Sequence, residues 1–154
     1  MRVIIYSIIF LTLSGCGFKI INQSENQRYK INEIEFKGEK RINYFIQNKL
    51  LKKYNNENLD NEIALIVNTE KSKIIKEKNI KNEITKYDIS ITSTIVAKSP
   101  ENNTYKFSVS SNGDYTVSEQ NSITINNEKK LIKILSQDIA DKIITELDLR
   151  INDL

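Results

Sequence analysis

An apolar residue recurs at every fourth position near the end of the chain, and this stripe constrains the fold more than any other sequence feature. Its members are Leu131, Leu135, Ile139, Ile143 and Leu147, with Ile132 and Ile144 widening it. Apolar side chains at this spacing share one face of an α-helix. We predict a helix over residues 128–149, capped by Asn126 or Asn127. Such a face must be covered, so the rest of the chain has to supply an apolar surface.

Alternating residues upstream predict that surface. Over residues 84–97 the apolar set is Tyr87, Ile89, Ile91, Ile95 and Ala97, and the polar set is Asp88, Ser90, Thr92 and Thr94. A period of two residues indicates a strand with one buried and one solvated face. The next strand has the same character, with Tyr105, Phe107, Val109, Tyr115 and Val117 on its apolar side. Asn112-Gly113 within it is either a tight hairpin turn or a bulge in one long strand, and we favour the bulge.

The first half of the domain predicts a strand, a helix and a strand. Residues 29–36 form the first strand, which Gly38 ends, and its parity slips between Ile31 and Ile34, so a bulge or a late start is expected. Residues 40–54 form a helix whose apolar face carries Ile42, Phe45, Ile46, Leu50 and Tyr54. Residues 62–69 are apolar on both faces, which indicates a central strand.

These elements predict an α+β fold, with two helices packed on one face of a four-stranded, mainly antiparallel sheet and the order β-α-β-β-β-α along the chain. Residues 71–81 fit a continued strand, a short helix or a loop equally well. Residues 118–125 are read as a polar connector. The free face of the sheet is rich in hydroxyl and charged groups, which is usual for a solvated sheet and would also suit a partner with a polar interior.

The beginning of the chain resembles the export signal of bacterial lipoproteins. Arg2 precedes an apolar run over residues 3–13, which is too short to span a bilayer, and Leu13-Ser14-Gly15-Cys16 then matches a lipobox. The resemblance implies cleavage before Cys16 and a diacylglycerol on its thiol. The alternative is a buried cysteine at the end of a membrane helix. We therefore divide the chain into a signal peptide (1–15), a lipid anchor and tether (16–28) and a single domain (29–150).

Composition excludes several kinds of active site. Cys16 is the only cysteine and there is no histidine, which rules out a His-containing triad, a Cys-His pair and a Cys/His zinc site. Asp138 and Asp141 are spaced for a shared face of a helix, where exposed carboxylates usually serve solvation. We predict no catalytic residue, no metal site, no cofactor besides the covalent lipid, and no enzymatic activity. A net charge of +3 spread along the chain also argues against a nucleic-acid binder.

One basic cluster is a candidate binding site. Five lysines fall within residues 71–81, namely Lys71, Lys73, Lys76, Lys78 and Lys81. Ammonium groups bind phosphate as point charges, so these side chains could meet the phosphates of an anionic ligand. The alternative is a solvated segment that Glu70, Glu77 and Glu83 partly neutralise.

The whole arrangement resembles the LptE family of lipopolysaccharide-assembly lipoproteins. The resemblance is carried by Cys16-Gly17-Phe18, the strand ending at Gly38, the amphipathic helix, three strands and a long C-terminal helix, most closely from Tyr105 through Leu147. It implies an outer-membrane lipoprotein, anchored on the periplasmic side, that plugs a large β-barrel partner of the LptD type and assists lipopolysaccharide insertion. In such a protein the five lysines of residues 71–81 are candidates for binding the phosphates of the lipopolysaccharide headgroup. A periplasm-facing lipoprotein that binds a small ligand or serves another transport or secretion complex is the alternative.

Overall fold

The computed structural model describes residues 29–54, 59, 61–99, 101 and 103–152. Its elements are β1 (Lys30–Gly38), α1 (Lys40–Tyr54), β2 (Glu62–Lys78), β3 (Ile84–Lys98), β4 (Thr104–Thr116) and α2 (Asn121–Asn152). The order matches the predicted one. Cys16, the signal peptide and the tether lie outside the described residues.

The four strands form one mixed sheet in the order β1-β2-β3-β4. β1 runs parallel to β2, while β2, β3 and β4 pair antiparallel. Parallel neighbours need a crossover connection, and α1 provides it. α2 lies mainly over β4 and β3 and packs against α1, so both helices cover the same face of the sheet. The predicted α+β architecture is confirmed.

The core lies between that face and the two helices. The predicted inward residues of β3, including Ile89, Ile91 and Ile95, have no exposed surface. Ile139 and Ile143 of α2 are buried equally deeply. Full burial of an isoleucine side chain contributes about 1.5–3 kcal/mol relative to exposure, so this layer supplies the main stabilisation.

β1 shows the predicted bulge and ends at a glycine. Its register against β2 shifts between Ile31 and Glu33, which confirms the bulge. Gly38 has a φ of +96°. A Cβ atom there would lie 2.0 Å from the backbone oxygen of Thr69, so only glycine fits. The chain therefore leaves the sheet at Gly38 and enters α1.

β2 continues well beyond the end of β1. Gly38 pairs with Thr69, and β2 then extends to Lys78 with pairing to β3 alone among the described strands. The segment 71–81 is thus a continued strand followed by a turn. Asn82, with a φ of 63°, lies in that turn, a conformation that asparagine tolerates better than most residues.

Two details of the sequence interpretation were wrong. β4 is one long strand, but it has no bulge at Asn112-Gly113, because its register against β3 is regular from Lys98↔Thr104 to Lys86↔Thr116. Gly113 instead allows α2 to approach: a Cβ atom there would lie 3.0 Å from Leu131 Cδ1. The glycine therefore serves packing and not a change of register.

α2 also begins earlier than predicted, at Asn121 and not near residue 128. Neither Asn126 nor Asn127 caps it, and the Asn127 side chain donates to the Thr116 carbonyl. The chain before the helix is held by the Thr124 hydroxyl, which accepts from the Ser118 N–H at 2.8 Å. The first turns escaped prediction because Ile123 and Ile125 are each 43% exposed and give little helical periodicity.

Candidate functional site

Beyond Gly38 the described sheet narrows from four strands to three. We call this three-stranded part the distal sheet: residues 70–78 of β2, 84–92 of β3 and 110–116 of β4, which pair with one another. α1 begins at Lys40, and Glu39, the residue before it, pairs with Lys71 of the distal sheet. α2 covers the helix-side face of the distal sheet at β4, where Leu131 lies close to Gly113 and Asp138 accepts from the Ser111 hydroxyl. Residues 72–78 of β2 are all exposed.

The five predicted lysines lie in the distal sheet and its turn, but they do not converge on one point. Lys71 pairs with Glu39 at 2.8 Å, Lys73 with Glu128 at 2.7 Å and Lys76 with Asp114 at 2.6 Å. Lys78 donates to the side chain of Asn82. The lysines thus divide into three that form ion pairs within the domain and two, Lys78 and Lys81, at the turn.

Lys73 joins three elements in the distal sheet. Its Nζ lies 4.3 Å from the ring centre of Tyr87 and 5.3 Å from that of Tyr115. The two rings stack at 5.7 Å, and the Tyr115 hydroxyl donates to Glu128 at 2.8 Å. A cation above aromatic faces and beside a carboxylate is stabilised by both. Lys73 thereby ties β2 to β3, β4 and α2.

The pKa values of this cluster reflect the pairing. For Glu128, burial favours the neutral form, but the hydrogen bonds from Lys73 and Tyr115 outweigh it and lower the pKa. For Lys73, partial burial acts to lower the pKa, and the bonds to Glu128 and Tyr115 raise it overall. Both groups are therefore charged at neutral pH, as the ion pair requires.

The turn between β2 and β3 presents an exposed apolar tip. Ile80 is fully exposed, and Lys78 and Lys81 flank it. The Asn79 side chain orders the turn, because its Oδ1 accepts from the backbone N–H groups of Lys81 and Glu83 at 2.9 and 3.0 Å. This tip lies at the end of the sheet opposite to the start of β1.

A second polar cluster closes the other end of the domain. The Tyr54 hydroxyl donates to Asp148 at 2.8 Å, and the Tyr29 hydroxyl donates to Asp148 at 3.1 Å. Lys53 forms an ion pair with the same carboxylate. Burial raises the pKa of both tyrosines, so they stay protonated donors. Sequence analysis missed this cluster, because nothing in the local pattern links residues so far apart.

The two carboxylates that the sequence singled out on α2, Asp138 and Asp141, both have structural partners. Asp138 accepts from the Ser111 hydroxyl at 2.6 Å and pairs with Lys142 at 2.7 Å, which together lower its pKa. Asp141 pairs with Lys49 of α1 at 2.5 Å. Within the described ranges, no three acidic, histidine or cysteine residues come close enough to hold a metal ion. An open groove of about 280 Å³ between β4 and α2, lined by Ser110, Asp141 and Lys142 among others, has no deep wall.

Neither helix of the described part has the combination of length and apolarity that a membrane-spanning helix needs.

No protein-family model matches the sequence, and no curated protein matches it. Solved structures do. Rare lipoprotein B from Shewanella oneidensis superposes with a TM-score of 0.59 at 14% identity, covering 79% of this chain and 98% of that one. This chain has the fold of rare lipoprotein B.

Two further structures support the same fold. A minor lipoprotein from Acinetobacter baumannii gives a TM-score of 0.56 at 16% identity, over 78% of this chain and 90% of that one. Lipoprotein B from Nitrosomonas europaea gives 0.55 at 14% identity, over 83% and 88%. Rare lipoprotein B is LptE, the family that the sequence resembles, so the resemblance is confirmed at the level of the fold.

Proposed function

We propose that the protein is a non-enzymatic, outer-membrane lipoprotein that assembles with and plugs a large β-barrel translocon and assists the insertion of lipopolysaccharide into the outer leaflet. The observation that carries the proposal is the rare lipoprotein B fold, which spans 98% of the Shewanella chain, in a sequence whose residues 13–16 match a lipobox. Cys16 carries the lipid in this proposal. Two or three acyl chains, at about 0.8 kcal/mol per buried methylene, hold a protein stably on a membrane.

The surface of the domain supports a partner with a polar interior. The uncovered face of the sheet presents hydroxyl, amide and charged side chains, including Asn68, Thr94 and Ser108 in one row across three strands. Lys76 and Asp114 form an ion pair at its distal end. A polar face suits the wet lumen of a barrel better than a lipid phase, because polar groups that enter hydrocarbon lose their hydrogen bonds to water.

Within the same proposal, the lysines of the distal sheet meet lipopolysaccharide phosphates. Lys78 and Lys81 at the turn are the best placed, because Lys71, Lys73 and Lys76 already have carboxylate partners. Ile80 between them offers an apolar side chain beside the two ammonium groups. That combination fits an anionic lipid headgroup at its boundary with acyl chains.

Isolation of the lipidated protein from its native membrane in mild detergent tests the proposal. Recovery of a large outer-membrane β-barrel in equal amount is the expected result. Recovery of the protein alone, or with inner-membrane components, would contradict the plug role and favour the alternative of a periplasm-facing accessory or ligand-binding lipoprotein. A parallel purification from cells that make the Cys16→Ala variant, which should be absent from the outer membrane, controls for non-specific recovery of the barrel.

A further inference from the structure

The end of β1 leaves a vacant position in the sheet. β1 stops at Gly38, opposite Thr69, while β2 runs on to Lys78. Over residues 70–78 the side of β2 that faces away from β3 has no neighbouring strand among the residues that the structure describes. We call this side the free edge. Because alternate residues of a strand direct their N–H and C=O groups to opposite sides, about half of these residues offer unpaired backbone groups there.

The regular part of the free edge has the length of an ordinary strand. Pairing of β2 with β3 is unbroken from Glu70↔Thr92 to Ile75↔Tyr87, and register shifts occur only beyond Ile75. These six residues match the usual strand length of about five or six. The vacant position beside them continues the line of β1, so an added strand would be the fourth strand of this part of the sheet.

Lysines on a strand often protect an edge from pairing, but here Lys73 and Lys76 are drawn away from it, while Lys71 is held in an ion pair with Glu39. Lys73 reaches over Tyr87 of β3 and Tyr115 of β4 to Glu128. Lys76 reaches across β3 to Asp114 of β4. The large side chains left beside the free edge are Ile74 and Ile75, which are 60% and 48% exposed.

The other outer edge of the sheet is treated differently. On β4, the Lys142 ammonium group of α2 donates to the Ser110 backbone carbonyl at 2.8 Å. The Arg150 guanidinium lies 5.2 Å from the ring centre of Phe107 on the same strand. α2 thus covers part of that edge, whereas the free edge of β2 is open to an incoming strand.

We propose that the free edge of β2 receives an extended segment of a partner protein as an added strand, with acidic side chains on the helix side and apolar ones on the other. Lys71 and Lys73 lie on the helix side of this edge in ion pairs with Glu39 and Glu128, and each ammonium group has three donors, so that a carboxylate of the incoming strand can join the pair. Ile74 on the opposite face offers an apolar contact. A second copy of this chain is a poor occupant, because antiparallel self-pairing would bring the lysine-rich segments together. The inference goes beyond the proposed function, which names no backbone contact.

Hydrogen exchange of the mature, lipidated protein in detergent tests this site with a synthetic peptide, acetyl-Thr-Glu-Val-Glu-Val-Glu-Thr-amide. The expected result is that alternate backbone amides from Glu70 to Ile75 exchange rapidly without peptide and become protected with it. A matched peptide that is N-methylated along its pairing side keeps charge and composition but loses two or three hydrogen bonds. We expect it to bind at least about tenfold more weakly.

Three outcomes would overturn the inference, and a fourth would overturn the acidic character of the occupant. Protection confined to the edges of β1 or β4 would place the peptide elsewhere, and equal binding of the N-methylated peptide would exclude strand addition. Lipopolysaccharide micelles that protect the same amides would assign the site to a lipid. A peptide with lysine in place of glutamate should bind roughly tenfold more weakly, and equal binding would refute the acidic character of the occupant.

Discussion

The hydroxyl group of Tyr54 donates a 2.8 Å hydrogen bond to Asp148 across 94 residues of sequence. The Tyr29 hydroxyl donates to the same carboxylate, and the two rings stack at 5.1 Å. Both tyrosines are 1% exposed, so this is a buried polar cluster that joins the start of β1 to the ends of α1 and α2. Buried polar groups that are mutually satisfied fix one arrangement, because losing one partner leaves another unpaired.

Tyr54→Phe therefore tests the contribution of this buried cluster to stability. Removal of the hydroxyl should lower the free energy of unfolding by about 1–3 kcal/mol. Tyr44→Phe is the matched control, since Tyr44 is 60% exposed and its loss should change stability by less than about 0.5 kcal/mol. Urea unfolding measures both, and equal midpoints for the two variants would contradict the assignment.

The two glycines of the sheet should differ sharply on substitution by alanine. In Gly38→Ala the added Cβ meets the Thr69 backbone oxygen at a positive φ, so we expect a loss of about 2–4 kcal/mol. In Gly113→Ala the nearest atom is the end of the Leu131 side chain, which can shift, and the loss should stay within about 1 kcal/mol. Thermal or urea unfolding of the two variants measures both losses of stability, and a larger loss for Gly113→Ala than for Gly38→Ala would refute this account.

Stability should fall in acid through the depressed carboxyl groups. The pKa values of Glu128, Asp114 and Asp138 are all lowered by partners in the folded state. Their contribution is fully present above the ordinary carboxyl pKa of about 4 and is lost as the pH falls through the lowered values. Glu128→Gln should reduce this dependence as well as stability at pH 7, and unfolding free energies between pH 7 and pH 2.5 measure both. An unchanged slope would exclude Glu128 as a contributor.

Lipopolysaccharide binding should depend on the turn lysines more than on other exposed lysines. We expect the double variant Lys78→Gln, Lys81→Gln to bind lipopolysaccharide several-fold more weakly, because two phosphate partners are lost. The double variant Lys106→Gln, Lys133→Gln changes the net charge equally at exposed positions elsewhere. Equal affinities of the two variants, measured by co-sedimentation, would remove the turn lysines from the proposed function.

The lipid anchor has a direct chemical test. Cys16→Ala should yield a protein that carries no diacylglycerol and is absent from the outer-membrane fraction, because the thiol that accepts the lipid is gone. Ser14→Ala keeps the small residue and the cysteine of the lipobox and should be processed normally. Intact mass of the two variants provides the measurement, and a lipid on the alanine variant would refute attachment at Cys16.

Local pattern predicted much of this fold, because its helices and strands have strong periodicity. Alternating apolar residues around Ile89 and Ile95, and the apolar stripe through Ile139, indicate which side of each element is buried, and the structure buries that side. The early start of α2 did not follow from sequence, since Ile123 and Ile125 are half exposed and give no stripe. The packing role of Gly113 did not follow from sequence either, because the Leu131 side chain that lies against it belongs to another element and leaves no local signature.

The candidate site was predicted only in part. The lysines of residues 71–81 stand out in the sequence, but their partners Glu39, Asp114 and Glu128 come from three other segments. The charge pattern of the sequence therefore located the basic segment, but it did not reveal that three of its five lysines form ion pairs. The free edge depends on where β1 stops relative to β2, which is a matter of register and not of composition.

The bond from Tyr29 to Asp148, which spans 119 residues, has a consequence for how the domain is made. A chain that emerges from a translocation channel with its N-terminus first presents β1 long before the end of α2 follows. The core that closes around Tyr29 cannot be completed until then, so no growing intermediate has a finished apolar layer. Such chains expose unpaired strands in the meantime and depend on binding partners that shield them during export.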